Sequence, residues 1–280
     1  MQNTLTTADG LKLHVQRWPV MVPARGTVLI VHGLGEHIGR YAAVAAQLNA
    51  WGWEAVGYDH RGHGRSEGPR GALSAADDLL RDLSLVVDAV RASAGAPLVL
   101  LGHSMGGAVA ARFVAEGLAA QPATWHRPCE ALVLSSPALD AGMNLPQKLL
   151  LALLGPLAPG LAVGNGLQPE WISRSKAVVQ AYKDDPLVHD RITPRLTRFV
   201  VDAGARARQD APRWRLPTLL LYAGADRCVA PDGSAAFAAA APAGVVTARE
   251  FAGLYHEVFN EPERDEAFAA LGAWLDARAG

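Results

Sequence analysis

The sequence predicts an α/β fold in which a mostly parallel sheet is covered by helices on both faces and a helical cap is inserted. Short continuous apolar runs, such as residues 27–31, are typical of strands buried on both faces of a parallel sheet. Helical stretches separate most of these runs, as expected for parallel strands joined by crossover helices. Residues 135–217 interrupt this alternation and are far longer than an ordinary connection.

The strands and helices can be assigned in chain order from their periodicity. Residues 11–18 alternate apolar and polar side chains, which predicts an edge strand with one face in water. Continuous apolar runs predict five buried strands, at residues 27–31, 55–58, 98–101, 131–134 and 218–222. A final strand with a more alternating pattern is predicted at residues 245–251. Helices are predicted between the strands, at residues 41–50, 77–92, 107–119, 234–241 and 263–277.

The long interval before residue 218 contains helical patterns of its own, at residues 145–154, 173–182 and 194–209. A compact domain rarely contains a structureless connection of this length. We therefore predict an inserted helical cap, or lid, at residues 140–208, with the α/β core formed by residues 1–139 and 209–280. A length of 280 residues suits one large domain with such an insertion.

The composition indicates a globular protein without a nucleic-acid partner. Half of the residues are hydrophobic and the formal net charge is −1. The densest basic stretch lacks interleaved aromatic residues and is offset by Asp202 and Asp210; it comprises Arg206, Arg208, Arg213 and Arg215. A solvated helix face explains these arginines, so we expect no nucleic-acid binding.

The sequence also favours a cytoplasmic protein. Cys129 and Cys228 are too few for a disulfide framework, and we expect two reduced thiols. Residues 1–10 are polar and lack the features of a secretory signal. Residues 145–167 form the longest apolar stretch, but prolines and glycines interrupt it before the roughly 20 residues that a bilayer-spanning helix needs. The oligomeric state stays open.

The segment most informative about function is Gly102-His103-Ser104-Met105-Gly106-Gly107. An apolar strand run stops at its first glycine, one serine follows, and an alanine-rich helical stretch begins soon after. In this G-x-S-x-G arrangement the serine lies on a sharp strand-to-helix turn with its hydroxyl exposed. The glycines leave room for strained backbone and for close approach of the helix to the strand. Ser104 is therefore the candidate nucleophile.

A serine hydroxyl is a weak nucleophile and needs a histidine base that a carboxylate orients. Asp226 lies in a glycine-containing turn after the strand at 218–222, and His256 follows the strand at 245–251. This order of serine, acid and histidine is the one expected when each residue follows a strand of such a sheet. Asp140, after an earlier strand, is a competing acid; Asp226 is preferred because it precedes His256 by one strand.

A tetrahedral intermediate also needs hydrogen-bond donors directed at its oxyanion. We expect one donor to be the backbone N–H of Met105, which follows the nucleophile. The second is expected from Leu34, because Gly33 and Gly35 on either side would let its N–H turn toward the serine. An ordinary strand-to-helix turn is compatible with the same residues.

His60 and His63 lie near Asp59 in a glycine-punctuated loop, a pattern that suggests a metal site. No further ligand cluster completes a coordination shell, so a structural turn is the better interpretation. The sequence has no nucleotide-binding fingerprint. We therefore predict neither a metal nor a cofactor.

Several segments together resemble the monoacylglycerol lipase and lysophospholipase branch of the α/β-hydrolases. Residues 32–41 are similar to that family's oxyanion segment, residues 59–68 to its second glycine-rich loop, and residues 102–107 to its nucleophile elbow. Asp226 and His256 lie in segments that look like its acid and base loops. In the cap, Asp185-Pro186-Leu187 matches a short family motif, whereas the rest of the cap diverges.

The resemblance implies an α/β-hydrolase fold and cofactor-free hydrolysis of monoacylglycerols to glycerol and fatty acid through an acyl-enzyme on Ser104. It also implies that Glu36 and Arg40 lie near the glycerol head; the alternative is a surface ion pair between residues four apart. Residues 145–167 of the cap are expected to contact the acyl chain and, transiently, a membrane; packing on the core or on a second subunit is the alternative.

Other functions remain as hypotheses. A lysophospholipase, a broad-specificity short-chain carboxylesterase or an aminopeptidase would use the same three residues on the same fold. A binding module without catalysis, which captures a lipid or a hormone-like ligand, is a hypothesis of a different class. Retention of the serine, the acid and the histidine in one chain favours an enzyme.

Overall fold

A computed structural model describes residues 3–21, 23–93 and 97–278. Residues 1–2, 22, 94–96 and 279–280, which the sequence analysis assigns to the core, lie outside the described residues.

An eight-stranded sheet forms the centre of the fold, and seven of its strands lie where the periodicity predicts them. The spatial order is β1-β2-β4-β3-β5-β6-β9-β10. The β1–β2 and β2–β4 pairs are antiparallel, and the remaining pairs are parallel. The mostly parallel α/β architecture is therefore confirmed. The strands are β1 (Thr4–Thr6), β2 (Lys12–Trp18), β3 (Thr27–Val31), β4 (Glu54–Tyr58), β5 (Leu98–His103), β6 (Ala131–Ser135), β9 (Thr218–Ala223) and β10 (Val246–Phe251).

The edge position predicted for residues 11–18 is wrong. β1 pairs with β2 on its outer side, with Leu5 opposite Leu13, and β1 is therefore the edge strand. A strand of three residues is too short to show a periodicity in the sequence. The alternation along β2 has another cause, because one of its faces covers the core while the other stays partly in water.

Helices cover both faces of the sheet because successive side chains of each strand point to opposite sides. Val28 and Ile30 of β3 pack in a layer with α1 (Ala42–Ala50) and α8 (Arg264–Asp276). Leu29 and Val31 pack in the opposite layer. That layer includes α2 (Asp78–Ser93), α3 (Ser104–Glu116), α6 (Pro194–Asp210) and α7 (Pro231–Ala240).

The interval between β6 and β9 contains three helices, as the sequence analysis predicted in outline. α4 (Leu145–Leu157) has no buried residue, whereas α5 (Lys176–Asp184) buries one side chain and α6 buries a full apolar face against α3. β7 (Val163–Gly164) follows α4 in the chain, and β8 (Arg191–Ile192) precedes α6. The two strands pair as an antiparallel ribbon. Short 3₁₀ turns occupy Ile38–Tyr41, Pro169–Trp171 and Ala211–Arg213. The cap boundaries 140–208 stay a prediction.

The strand order determines where a ligand site can form. From β3 the chain crosses to β4 on one side, and from β4 it returns to β5 on the other side of β3. The loops after β3 and β5 therefore diverge, and open parallel sheets bind ligands in the crevice formed at such a point beyond the carboxyl ends of the strands. Leu34 follows β3 and Ser104 follows β5. No helix in the described part of the chain is long and apolar enough to cross a membrane.

Candidate active site

Ser104 lies at the first position of α3 in a strained backbone conformation, with φ of +53°. The helix starts three residues earlier than the helix predicted at residues 107–119, because the turn from β5 is completed at the serine itself. A Cβ atom at Gly106 would lie 2.1 Å from the carbonyl oxygen of Val31, and one at Gly102 would lie 2.5 Å from that of Gly106. The glycines therefore permit the close approach that exposes the serine.

His256 and Asp226 are directly hydrogen-bonded, with 2.7 Å between Nδ1 and Oδ2. The other carboxylate oxygen of Asp226 accepts the backbone N–H groups of Cys228 (2.8 Å) and Val229 (3.1 Å), which fix its orientation. Burial lowers the pKa of His256, but the carboxylate of Asp226 more than offsets this and raises the pKa above its usual 6.5. The competing acid Asp140 instead accepts the N–H of Gly142.

Ser104 and His256 line the same cavity. Within residues 3–21, 23–93 and 97–278, no hydrogen bond joins the Ser104 hydroxyl to the His256 ring. Catalytic hydrogen bonds are often long before substrate binds, so this geometry is compatible with proton transfer between the two side chains. The ring of His103 lies 4.7 Å from that of His256, centroid to centroid. Burial and the neighbouring His256 lower the pKa of His103 to about 4, which keeps its ring neutral near pH 7.

Met105 and Leu34, whose backbone N–H groups are predicted to bind the oxyanion, line one cavity together with Ser104. Met105 is in the first turn of α3, where backbone N–H groups have no partner within the helix. Leu34 lines the cavity beside Ser104, and the N–H of the preceding Gly33 is already bonded to Glu36 Oε1 at 2.6 Å. Gly35 has a φ of +76°, which bends the segment after Leu34.

Two cavities of about 500 Å³ each meet at Ser104. The first, here the charged cavity, has six charged side chains in its wall, Glu36, Arg40, Lys183, Asp185, Asp190 and Glu257. The second, here the apolar cavity, runs under α4 and is lined by side chains such as Met105, Leu150, Leu151, Leu154 and Val200. The residues common to both are Leu34, Ser104, Asn165, Leu167 and Cys228.

Glu36 and Arg40 form an ion pair with 2.6 Å between Oε2 and Nη1, but this pair is largely buried and is not the surface pair considered as the alternative to a role at the glycerol head. Glu36 Oε1 also accepts the Tyr41 hydroxyl at 2.7 Å and the Gly33 N–H. Burial would raise the pKa of Glu36, but Arg40 and nearby histidines outweigh it and lower the pKa to about 2. Glu36 is therefore ionised at neutral pH, and its bond to the Gly33 N–H holds the loop that contains Leu34.

Glu257 is a residue of this site that the sequence analysis missed. Its two carboxylate oxygens accept Arg40 Nη1 at 2.7 Å and Nη2 at 2.9 Å. Tyr182 was missed as well, and its ring lies 4.8 Å from the Arg40 guanidinium carbon. Tyr182 belongs to no recognisable motif. Glu257 directly follows the candidate base, in the segment that resembles the family's base loop, but no role of its own was predicted for it.

The glycine-punctuated loop at residues 59–68 has a structural explanation. The Asp59 carboxylate accepts the backbone N–H groups of Ile38 (2.7 Å) and Arg65 (2.8 Å). Desolvation by burial lowers the pKa of His60 and of His63 well below 6.5. Among the residues that the structure describes, the ligand atoms close enough to share a metal ion are those of Asp226, Cys228 and His256, within 4.8 Å of one another. The Asp226–His256 hydrogen bond already occupies two of them.

The sheet topology and the strained serine at the crevice define an α/β-hydrolase. The family profile described as serine aminopeptidase, S33, matches residues 22–263. The chain belongs to this family and is a serine hydrolase.

Known proteins resemble the chain over nearly its whole length. It is 34% identical to a monoacylglycerol lipase from Mycolicibacterium smegmatis, over 98% of this chain and 96% of the relative. It is 31% identical to the monoglyceride lipase of Rattus norvegicus, over 98% of this chain and 90% of the relative. The crystal structure of a monoacylglycerol lipase from Paleococcus ferrophilus superposes with a TM-score of 0.82 at 35% identity, covering 94% of this chain and 98% of that one. These comparisons confirm the resemblance drawn from the motifs.

Proposed function

We propose that this protein hydrolyses monoacylglycerols to glycerol and a fatty acid. The observation that carries the proposal is that the charged cavity and the apolar cavity meet at Ser104. An ester with a polyol on one side and an acyl chain on the other needs one polar and one apolar compartment on either side of the nucleophile. The relatives named above as monoacylglycerol lipases support the same substrate class.

In this proposal Ser104, His256 and Asp226 act as nucleophile, base and orienting acid. His256 Nε2 accepts the Ser104 proton while the serine oxygen attacks the ester carbonyl carbon. Asp226, bonded to Nδ1, stabilises the imidazolium that forms. The ester oxygen leaves with the proton from His256 as glycerol, and a water that His256 deprotonates then cleaves the acyl-enzyme to release the fatty acid.

The N–H groups of Leu34 and Met105 are the proposed oxyanion donors. Removing one donor of this kind typically costs about 10²–10³ in rate. Glu36 and Arg40 are proposed to contact the glycerol head, which the charged cavity would receive. The bond from Glu36 to the Gly33 N–H supports a second contribution, in which Glu36 holds the Leu34 peptide in place.

Residues 140–208 are proposed to form the cap, whose α4 covers the acyl chain. Leu151 and Leu154 line the apolar cavity, whereas Leu145, Leu149, Leu153 and Leu157 are exposed, the last of them by 73%. An exposed apolar patch on a helix supports transient contact of α4 with a lipid surface. Co-sedimentation with phosphatidylcholine vesicles measures this contact, and protein that stays in the supernatant contradicts it.

Ser104→Ala tests the proposed function. We expect the variant to lose hydrolysis of 1-lauroylglycerol and covalent labelling by a fluorophosphonate, while its unfolding transition stays close to wild type. A fluorophosphonate reacts only with an activated serine, so an unlabelled wild type contradicts the assignment. Turnover of p-nitrophenyl butyrate or of aminoacyl amides in preference to 1-lauroylglycerol would instead favour the short-chain esterase or the aminopeptidase.

A further inference from the structure

The wall of the charged cavity carries an excess of negative charge. Its acidic residues are Glu36, Asp185, Asp190 and Glu257, whereas its cations are Arg40 and Lys183. With histidines counted as neutral, four carboxylates and two cations give a formal charge of −2. Lys183 moreover bonds to Glu170, which lies outside the cavity wall. A bound molecule therefore meets a surface whose negative potential is concentrated by the surrounding protein.

Arg40 is more buried than Lys183, the other cation named in this wall, and its guanidinium is already engaged. Three N–H···O contacts join it to Glu36 and Glu257, at 2.6, 2.7 and 2.9 Å. One face of the guanidinium lies against the Tyr182 ring. Burial acts to lower the pKa of Arg40, but the carboxylates of Glu257 and Glu36 more than offset it and raise the pKa. Because Arg40 lies between two carboxylates, an anion that approached it would be close to both.

We propose that Glu257, by pairing with Arg40, makes this site reject substrates with an anionic head group and accept neutral or cationic ones. The inference rests on the proposed function, since it takes the charged cavity to be the place of the head group. Without Glu257, Arg40 would retain one carboxylate partner and could donate to a phosphate, as arginines do in bidentate contacts. Placing like charges together in a partly desolvated site is costly, so Glu257 acts as a specificity-determining residue.

The test compares three lauroyl esters that differ in head-group charge. These are 1-lauroylglycerol, 1-lauroylglycerol 3-phosphate and lauroylcholine, each below its micelle-forming concentration. For the wild type we expect kcat/KM for the phosphate ester to be at least about tenfold below that for the neutral ester, because like charges must approach one another. The cationic ester is expected to be hydrolysed at least as well as the neutral one.

Glu257→Gln keeps the shape of the side chain and removes its charge. We expect the neutral-to-anionic ratio of kcat/KM to fall by about threefold or more, whatever happens to the absolute rates. A merely structural role of Glu257 would lower all three rates together and leave the ratio unchanged, and that result overturns the proposal. Wild-type enzyme that hydrolyses the phosphate ester as well as the neutral one overturns it too.

Glu54→Gln is the matched control. Glu54 also forms a two-point pair with an arginine, Arg17, at 2.6 and 2.8 Å, and its side chain is 7% exposed, as is that of Glu257. It lies on β4, outside the cavity wall, so its loss should leave the ratio at the wild-type value. A ratio that falls equally in both variants contradicts a local effect of Glu257.

Asp190→Asn keeps the inference testable if Glu257→Gln does not fold. Asp190 lines the charged cavity and is exposed. Its replacement by asparagine makes the cavity wall less negative without breaking the Arg40 pair. We expect the ratio to fall in this variant, by less than in Glu257→Gln, because Asp190 adds to the negative charge of the wall without pairing with Arg40. An unchanged ratio contradicts the premise that the negative charge of this wall acts on the head group. Wild-type hydrolysis of lauroylcholine without hydrolysis of 1-lauroylglycerol refutes the proposed function, yet supports the charge preference.

Discussion

At the candidate base, burial and neighbouring charge act on the same ring in opposite directions. His256 is buried, which favours the neutral imidazole, but Asp226, Glu257 and Glu36 favour the imidazolium. The charges outweigh burial, so the pKa of His256 lies above 6.5. A base must be neutral to accept the serine proton, and activity is therefore lost as the pH falls through this raised pKa.

We expect the acid limb of the pH dependence of kcat/KM for 1-lauroylglycerol to have its midpoint above pH 6.5. Glu257→Gln should move that midpoint to lower pH, because one of the carboxylates that raise the pKa of His256 is removed. Glu54→Gln, remote from the ring, should leave it in place. Equal midpoints in wild type and Glu257→Gln would show that Glu257 does not act on the base.

Among the helices, α6 shows how packing reverses an intrinsic preference. An alanine in a helix interior is normally more stable than a glycine by about 0.5–1 kcal/mol. At Gly204 of α6, however, a Cβ atom would lie 2.6 Å from the carbonyl oxygens of both Ala138 and Leu139. These are backbone atoms after β6 and cannot move like the end of a side chain. The glycine is what lets α6 lie against the segment that leads into the predicted cap.

We therefore expect Gly204→Ala to lower the free energy of unfolding by about 1–3 kcal/mol, the usual cost of overpacking. Gly155→Ala in α4 is the matched control, because no atom lies within 4 Å of its Cβ position. That variant should match wild type or be more stable by up to about 1 kcal/mol. Urea unfolding followed by circular dichroism measures both, and a Gly204→Ala variant as stable as wild type would contradict the close approach.

For the molecule as a whole, a group of buried histidines sets the response to acid. Burial lowers the pKa of His32, His60, His63, His103 and His189, the last two to about 4. The unfolded chain binds protons at these rings near pH 6.5, whereas the folded chain does not. The unfolded state therefore takes up more protons as the pH falls from 6.5 toward 4, and the folded state loses stability. The pKa values of His14 and His126 are lowered as well, so the raised pKa of His256 opposes seven lowered ones.

We expect the free energy of unfolding to be nearly constant between about pH 7.5 and pH 8 and to decrease between pH 6.5 and pH 5. Below pH 4.5 the decrease should become steeper, since the pKa of Glu36 is held at about 2 in the folded state. Urea titrations at pH 8, 6.5 and 5 measure the trend. A stability that is flat or rises from pH 8 to pH 5 would mean that these rings are not neutral in the fold.

Much of this architecture could be predicted from local patterns. The strands β3, β5, β6 and β9 are buried at every position, and each contains a run of at least three consecutive apolar residues, as expected for strands covered on both faces. β1 was not predicted, because a strand of three residues is too short to show an alternation of apolar and polar side chains. The helix start at Ser104 was also missed, since the strained turn is set by packing of Gly106 on the backbone of β3 and not by helix propensity.

By itself, the sequence determined the order of strands and helices, the family and the candidate serine, acid and base. These features depend on the spacing of apolar residues within short segments and on the glycines next to one serine. Both signals involve residues that are near one another in the sequence. Only the tertiary structure decided that Arg40 lies between Glu36 and Glu257, and that a charged and an apolar cavity meet at Ser104. Charge pairing and cavity shape depend on distances in space, and Arg40 and Glu257 are 217 positions apart in the chain.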